Sequence, residues 1–367
     1  MNSVVHDVIY ALLAILMSAL TAFLLTPLVR VLAFKLGAID IPKDDRRMHK
    51  KPTPLIGGLA IFLAFTISVL LFCDVDKKIV GMLIGGLLMA LIGTIDDIYK
   101  ISPMAKLLGQ IVAAFAPIIC GITIEHISLF GKFYKFGYFA IPITVIWIVA
   151  LTNAINLVDG LDGLACGIST ISAISMMVFA LLEVDLFIAT IVGILVGACL
   201  GFLPYNRHPA SIFMGDTGAL FLGYTLSVIS ILGVFKVNAF VSFVTPFLIF
   251  GLPLLDTFTA MLRRVLKGQS PFHADRGHFH HKLIDLGFNQ RQAVTILYSI
   301  SAIFGISAVL FTEEKLISAL LIIVLTFVIG YLNFRNLVGG KQLREQMGLR
   351  LKAIDTDKDN PKNTDKQ

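Results

Sequence analysis

Eleven stretches of this chain carry no Asp, Glu, Lys or Arg: residues 8–29, 52–73, 79–95, 107–124, 136–158, 163–182, 186–206, 217–235, 237–255, 292–312 and 316–334. Each is long enough to cross a hydrocarbon core ~30 Å thick as a helix. No other feature constrains the fold so strongly, because a backbone in lipid must satisfy its own hydrogen bonds, and only helices and closed barrels do so. The apolar/polar alternation of a barrel is absent. The composition agrees: 57% of residues are hydrophobic and only 15% charged, where a soluble domain carries roughly 25% charge. The chain therefore reads as an all-α polytopic integral membrane protein with about eleven transmembrane helices.

No Lys or Arg precedes the first run and no small-residue cleavage site follows it, so a removable signal peptide is not expected. Basic residues follow it at once: Arg30, Lys35, Lys43, Arg46, Arg47, Lys50 and Lys51. By the positive-inside rule the N-terminus lies outside. Threading eleven spans from there leaves most of the 30 Lys and Arg, and the C-terminus, on the cytoplasmic side. Residues 1–338 form one integral membrane domain, and 339–367 a polar cytoplasmic tail, expected to be disordered because it lacks apolar periodicity. Cys73, Cys120, Cys166 and Cys199 are scattered in or beside spans without CxxC spacing, and read as apolar filler.

A charge at the bilayer centre costs at least ~2.5 kcal/mol, so the carboxylates bordering the runs are the next clue. Asp96 and Asp97 end the third run in "LIGTIDDIYK". Asn156 and Asp159 end the fifth, and Asp162 opens the sixth, in "NAINLVDGLDGLACG". Asp216 opens the eighth in "FMGDTGAL", and Asp256 ends the ninth in "GLPLLDT". Threaded as above, all of them fall on the cytoplasmic side.

Asp216 admits two readings, an N-cap favoured by the helix dipole or a functional carboxylate. Asp96 and Asp97 close a helix, where the dipole disfavours anions and each repels the other. A bound cation or a cationic side chain is expected to hold them there, and neutralising one is expected to leave stability level or raise it. Adjacent helical residues point about 100° apart, so at most one can face a ligand squarely. Asn156, Asp159 and Asp162 recur every three residues, which on a helix puts neighbours on one side. Gly160 and Gly163 let the backbone turn or approach a ligand closely.

Hard oxygen donors with few cysteines point to Mg²⁺, or Mn²⁺ in its place. Mg²⁺ shares itself between one or two carboxylates and substrate phosphates, which suggests phosphate chemistry. The segment "RRVLKGQSPFHADRGHFHHKL" fits, with Arg263, Arg264, Lys267, His273, Arg276, His278, His280, His281 and Lys282. It admits three readings: a positive-inside anchor, a zinc site using His278 and His281, or an anion cradle in which Arg grips phosphate oxygens and His donates hydrogen bonds. The first basic loop ends in "KPTPLIGG", whose glycines are expected to bring backbone N–H groups close to an anion. Lys106 lies just ahead of the fourth run, beside Asp96 and Asp97.

Taken in order, "KPTPLIGG", "GTIDDIYK", "NAINLVDGLDGL", "FMGDTGALFLG" and "DRGHFHH" resemble the polyprenyl-phosphate N-acetylhexosamine-1-phosphate transferases. The muramoyl-pentapeptide branch of that family typically has three consecutive histidines in its last loop. Here the histidines are interrupted and preceded by Asp275 and Arg276. That is similar to the N-acetylglucosamine branch, which starts O-antigen (lipopolysaccharide), enterobacterial common antigen or wall teichoic acid.

The resemblance implies a catalytic membrane domain that uses UDP-GlcNAc, undecaprenyl phosphate and Mg²⁺ at the cytoplasmic face of a bacterial plasma membrane. It implies Asn156 and Asp216 as metal ligands, and Asp96 and Asp97 at the lipid-phosphate side, one of them a base. Asp159 and Asp162 would shape the nucleotide–metal site. Lys106, Arg276 and His278 would hold pyrophosphate and sugar, with Lys51, Thr53, His280 and His281 as further substrate-binding residues. No nucleic-acid partner is expected, and a homodimer is one expected state. The muramoyl-pentapeptide transferase remains the alternative within the family, and an ion-coupled transporter the alternative outside it. Against the transporter, no charge lies mid-span and no inverted halves are visible.

Overall fold

The computed structural model describes residues 2–41, 52–129, 132–233, 240–269, 277–312 and 324. Ten of the eleven charge-free runs overlap helices: α1 (Asn2–Leu36), α2 (Gly58–Phe72), α3 (Lys77–Tyr99), α4 (Pro103–Ile119), α5 (Ala140–Val158), α6 (Leu164–Leu182), α7 (Leu186–Asn206), α8 (Gly215–Leu232), the pair α9 (Phe240–Ile249) and α10 (Gly251–Leu266), and α12 (Gln290–Thr312). A short α11 (Phe279–Asp285) precedes α12. Seven of these helices are long and apolar enough to cross a membrane, and α2 and α4 are shorter apolar helices. The chain is thus a mainly helical, multi-pass membrane protein. The eleventh run, at 316–334, and the polar tail lie outside the described residues.

The ninth run is not one unbroken helix. It divides at Phe250, and α10 continues through Asp256 to Leu266, with Arg263 and Arg264 in its last turn. Leu252, Asp256, Ala260 and Arg264 recur every fourth residue and are all buried, so α10 turns a partly polar stripe inward. A search for charge-free runs stops at Asp256 because it ignores this periodicity.

At the centre stands α8, buried from Thr217 to Leu232 and packed against α2, α3, α5, α6 and α7. Polar clamps tie it in: Trp147 Nε1 of α5 donates to Ser230 Oγ at 3.0 Å, and the hydroxyls of Thr94 and Thr217 meet at 3.1 Å. At Gly93 of α3, a Cβ would stand 2.4 Å from Thr217 Cα, so only glycine lets α3 approach α8 this closely. On the far side, α1 lays Ala14, Ser18 and Ala22 on α7, where Gly197 and Gly201 admit its backbone. Helices in lipid associate through such small-residue contacts because there is no hydrophobic drive between them.

Two short antiparallel pairs complete the fold. β1 (Ile39–Asp40) pairs with β2 (Thr53–Pro54), with Asp40 opposite Thr53. β3 (His126–Leu129) and β4 (Lys132–Lys135) form a hairpin between the end of α4 and the start of α5. The C-terminal ends of α3 and α5 meet the N-terminal ends of α4 and α8, so the motif segments gather at one end of the bundle and the hairpin lies at the other.

Candidate active site

The site is built where α3 ends and α8 begins. Four N–H groups at a helix start have no partner within the helix. Met214, at the N-cap of α8, supplies no side-chain bond. Asp97 of α3 does so instead: its Oδ1 accepts from Asp216 N at 3.0 Å, and its Oδ2 accepts from Thr217 N at 3.0 Å and from Thr217 Oγ1 at 2.7 Å. Gly215 has φ +69°, and a Cβ there would stand 2.4 Å from Asp97 Oδ2. The turn therefore requires glycine both for its backbone and for room. Asp97 is held by the amide groups of α8, not by a cation as its position in the sequence suggested. The cap reading of Asp216 falls with it, since Asp97 takes that role and leaves the Asp216 side chain free.

That side chain turns to Lys106, on the first turn of α4. Lys106 Nζ lies 3.0 Å from Asp96 Oδ2, 3.0 Å from Asp216 Oδ2 and 3.3 Å from Asn156 Oδ1. Asn156 Nδ2 donates to Asp216 Oδ1, and Asp96 Oδ1 accepts from Ile101 N at 2.9 Å. One turn deeper, Gln110 and Asn153 pair amide to amide, with Asn153 Nδ2 2.6 Å from Gln110 Oε1. This pair locks α4 to α5 beneath the Lys106–Asn156 contact.

Two carboxylates and a carboxamide thus converge on one cation position, now filled by the lysine ammonium. Among the described residues no three His, Cys, Asp or Glu side chains form a ready-made metal cage. The oxygen set still fits Mg²⁺, which takes few protein ligands and leaves room for water and phosphate.

Asp159 and Asp162 do not continue the helix of Asn156. α5 stops at Val158, Asp159 is its C-cap, and Gly163 at φ +78° starts α6. Burial raises the Asp159 carboxyl to about 8, and the negative charges of Asp216, Asp97 and Asp162 push the same way. Asp162 faces the segment after α7, where its Oδ2 lies 2.7 Å from His208 Nδ1 and accepts from Ala210 N at 3.1 Å.

The α11 histidines pack onto this turn. A Cβ on Gly160 would stand 2.2 Å from His280 Nε2, so the ring rests on the glycine. His280 stacks with His278, centroids 5.9 Å apart and 9° between planes, and lies 4.2 Å from His281. Burial lowers His280 to about 4, assisted by His281 and His278 and opposed by Asp256. His278 Nδ1 lies 3.0 Å from Asp256 Oδ2.

The "KPTPLIGG" glycines are not an anion nest. Gly57 N donates to Phe213 O at 3.0 Å and Gly58 N to Met214 O at 2.9 Å, while Phe213 N donates to Pro54 O at 2.9 Å. The loop is zipped to the segment that launches α8, and its N–H groups are spent there. Thr53 is buried in β2. Lys51, His273, Asp275 and Arg276 lie outside the described residues. The sequence reading did not single out Thr217, Gln110, Asn153 or His208. Gln110 carried a signal, being a lone amide in an apolar run; His208 carried none.

Buried carboxylates, a carboxamide and a lysine thus meet at one end of a multi-pass membrane bundle. Residues 79–234 match the family described as glycosyl transferase family 4. The chain is 38% identical over 318 residues to a probable undecaprenyl-phosphate N-acetylglucosaminyl 1-phosphate transferase of Bacillus subtilis, covering 86% of this chain and 88% of that protein. It is 36% identical over 333 residues to a decaprenyl-phosphate N-acetylglucosaminephosphotransferase of Mycolicibacterium smegmatis, covering 81% and 82%. A phospho-N-acetylmuramoyl-pentapeptide-transferase of Staphylococcus aureus is 32% identical over 319 residues, covering 81% and 97%. The chain belongs to the polyprenyl-phosphate hexosamine-1-phosphate transferase family.

Proposed function

We propose that the protein transfers GlcNAc-1-phosphate from UDP-GlcNAc to undecaprenyl phosphate, the first membrane step of a cell-surface glycopolymer. The observation that carries this reading is the convergence of Asp96, Asp216 and Asn156 on one cation position at one end of a membrane bundle. The choice of sugar rests on the relatives: those named for N-acetylglucosamine are 34–38% identical, and those named for muramoyl-pentapeptide 29–32%. The proposed topology is eleven spans in a bacterial plasma membrane, N-terminus outside and C-terminus inside, with the site on the cytoplasmic face.

In this reading a phosphate oxygen of undecaprenyl phosphate attacks the β-phosphorus of UDP-GlcNAc. The bond from that phosphorus to the bridging oxygen breaks, UMP leaves, and undecaprenyl-diphospho-GlcNAc remains in the membrane. Asp216 and Asn156 would hold Mg²⁺, which when bound neutralises charge on the diphosphate and on the departing UMP. Lys106, whose ammonium lies among the oxygens of Asp96, Asp216 and Asn156, would grip a phosphate oxygen of the substrate. Asp97 has both oxygens on α8, so Asp96 is the member of the pair that faces the lipid phosphate. A phosphate monoester is mostly ionised at neutral pH, its second pKa being about 6. A base therefore removes only a residual proton, and positioning with charge neutralisation does most of the catalysis.

Purified protein with undecaprenyl phosphate and Mg²⁺ should release UMP from UDP-GlcNAc, and much less from UDP-GalNAc or UDP-MurNAc-pentapeptide. Release from the pentapeptide substrate alone would move the chain to the muramoyl branch. No release from any of the three would sink the reading.

A further inference from the structure

Asp256 lies outside the Lys106 cluster and takes no part in the reaction as derived so far. It sits on the inward stripe of α10, 3% exposed. Both of its oxygens are used: Oδ2 lies 3.0 Å from His278 Nδ1, and Oδ1 accepts from Phe279 N at 2.9 Å. One carboxylate thus fixes the start of α11 and the ring of the residue before it.

A buried carboxylate is costly unless fully hydrogen-bonded. An apolar side chain would pack α10 without that cost, so the carboxylate is there for what it holds. A carboxylate only accepts, so His278 must carry its proton on Nδ1. Nε2 is then the nitrogen left to meet another group. The His278 ring lies parallel to His280, and His280 rests on Gly160, next to Asp159. The pair therefore controls one edge of the turn that borders the phosphate-transfer site.

We propose that Asp256 is a positioning residue: through His278 it fixes which imidazole nitrogen meets the nucleotide-sugar diphosphate. This rests on the phosphotransfer reading above. Second-sphere carboxylates act this way on histidines elsewhere, setting tautomer and ring orientation. An amide in place of the carboxylate presents an NH₂ to Nδ1 and favours the opposite tautomer, with little change in volume.

The test uses the full-length protein carrying Asp256→Asn, Asp256→Glu, His278→Gln, or Asp256→Asn with His278→Gln. Nitrogen-15 spectra of histidine-labelled protein, above the ordinary imidazole pKa of ~6.5, report the tautomer; the His278→Gln spectrum assigns the signal among the 8 histidines. The expected result is an Nδ1–H tautomer in wild type and a shift to Nε2–H in Asp256→Asn. With it, kcat should fall by a factor on the order of 10², while KM for UDP-GlcNAc changes by no more than about threefold. Asp256→Glu should recover most of the rate, and Asp256→Asn should add less than about twofold to His278→Gln, as residues acting as a unit do. An unchanged tautomer overturns the proposal, as does an equal loss of rate in the two backgrounds. If wild type releases no UMP from any of the three nucleotide sugars, the functional reading fails, and the tautomer alone still decides whether Asp256 positions His278.

Discussion

Replacing Asp97 by Asn should loosen the start of α8, against the expectation that neutralising one of two adjacent carboxylates leaves stability level or raises it. Asp97 accepts three hydrogen bonds, from Asp216 N, Thr217 N and Thr217 Oγ1. Asn keeps one oxygen and turns an NH₂ toward the rest. The Thr217 hydroxyl can rotate and accept, but one backbone N–H is left facing another donor. A buried donor without a partner costs about 1–3 kcal/mol, and losing a negative charge at a helix N-terminus costs about 0.3–1 kcal/mol more. Relief of repulsion between neighbouring carboxylates in the cluster offsets about 1 kcal/mol of this. The net is about 2 kcal/mol, which at roughly 2–4 °C per kcal/mol lowers Tm by about 4 °C or more. Asp97→Ala removes all three acceptors and should lower it further. Asp96→Asn should cost less, because its remaining oxygen still accepts from Ile101 N. Thermal unfolding of the three detergent-solubilised variants gives the order. If Asp97→Asn melts at or above wild type, repulsion dominates and the capping argument is wrong.

Lys106→Met removes the resident ammonium from among the oxygens of Asp96, Asp216 and Asn156. In the absence of substrate it should therefore bind Mn²⁺ more tightly, read by electron paramagnetic resonance, while turnover falls; weaker Mn²⁺ binding would count against that cation position as the metal site. A second expectation concerns pH. His280 sits at about 4 in the fold, against an unfolded value near 6.5, so above that pH neither state is protonated and stability is full. As pH falls from about 6.5 to 4 the unfolded chain takes a proton that the folded one refuses, at a cost of up to about 3 kcal/mol. His280→Gln should flatten that acid-side decline in Tm relative to wild type, and parallel declines would contradict the assignment.

The helices were legible because lipid leaves a chain few options, and charge-free length is enough to find α1 to α8 and α12. The method failed at α10, where the boundary is set by an inward stripe of Leu252, Asp256, Ala260 and Arg264 and charge is no stop signal. At α5 the charge-free run ends at 158, as the helix does, but the three-residue spacing of Asn156, Asp159 and Asp162 does not put them on one helical side, because the chain leaves the helix at Asp159. Gly160 and Gly163 were read as permission for a tight turn, and the turn they allow ends α5 and sends Asp162 to His208.

Lys106, Asp96, Asp216 and Asn156 were legible as a group because each charge or amide stood at the border of an apolar run, where an unpaired polar group is too expensive to keep. Their partners were not. Asp97 looked like the twin of Asp96, yet the two serve different masters: one meets the lysine and the other closes the N-terminus of a helix more than a hundred residues away. The rule that a carboxylate is uncomfortable at a helix end held for α3 taken alone. It was overruled by the N–H groups of α8, which no local pattern in "GTIDDIYK" can reveal. The same long-range satisfaction explains "PTPLIGG", whose glycine amides meet Phe213 O and Met214 O. Donors that would suit an anion in isolation here hold the α8 turn in place, and that turn aims Asp216 at Lys106.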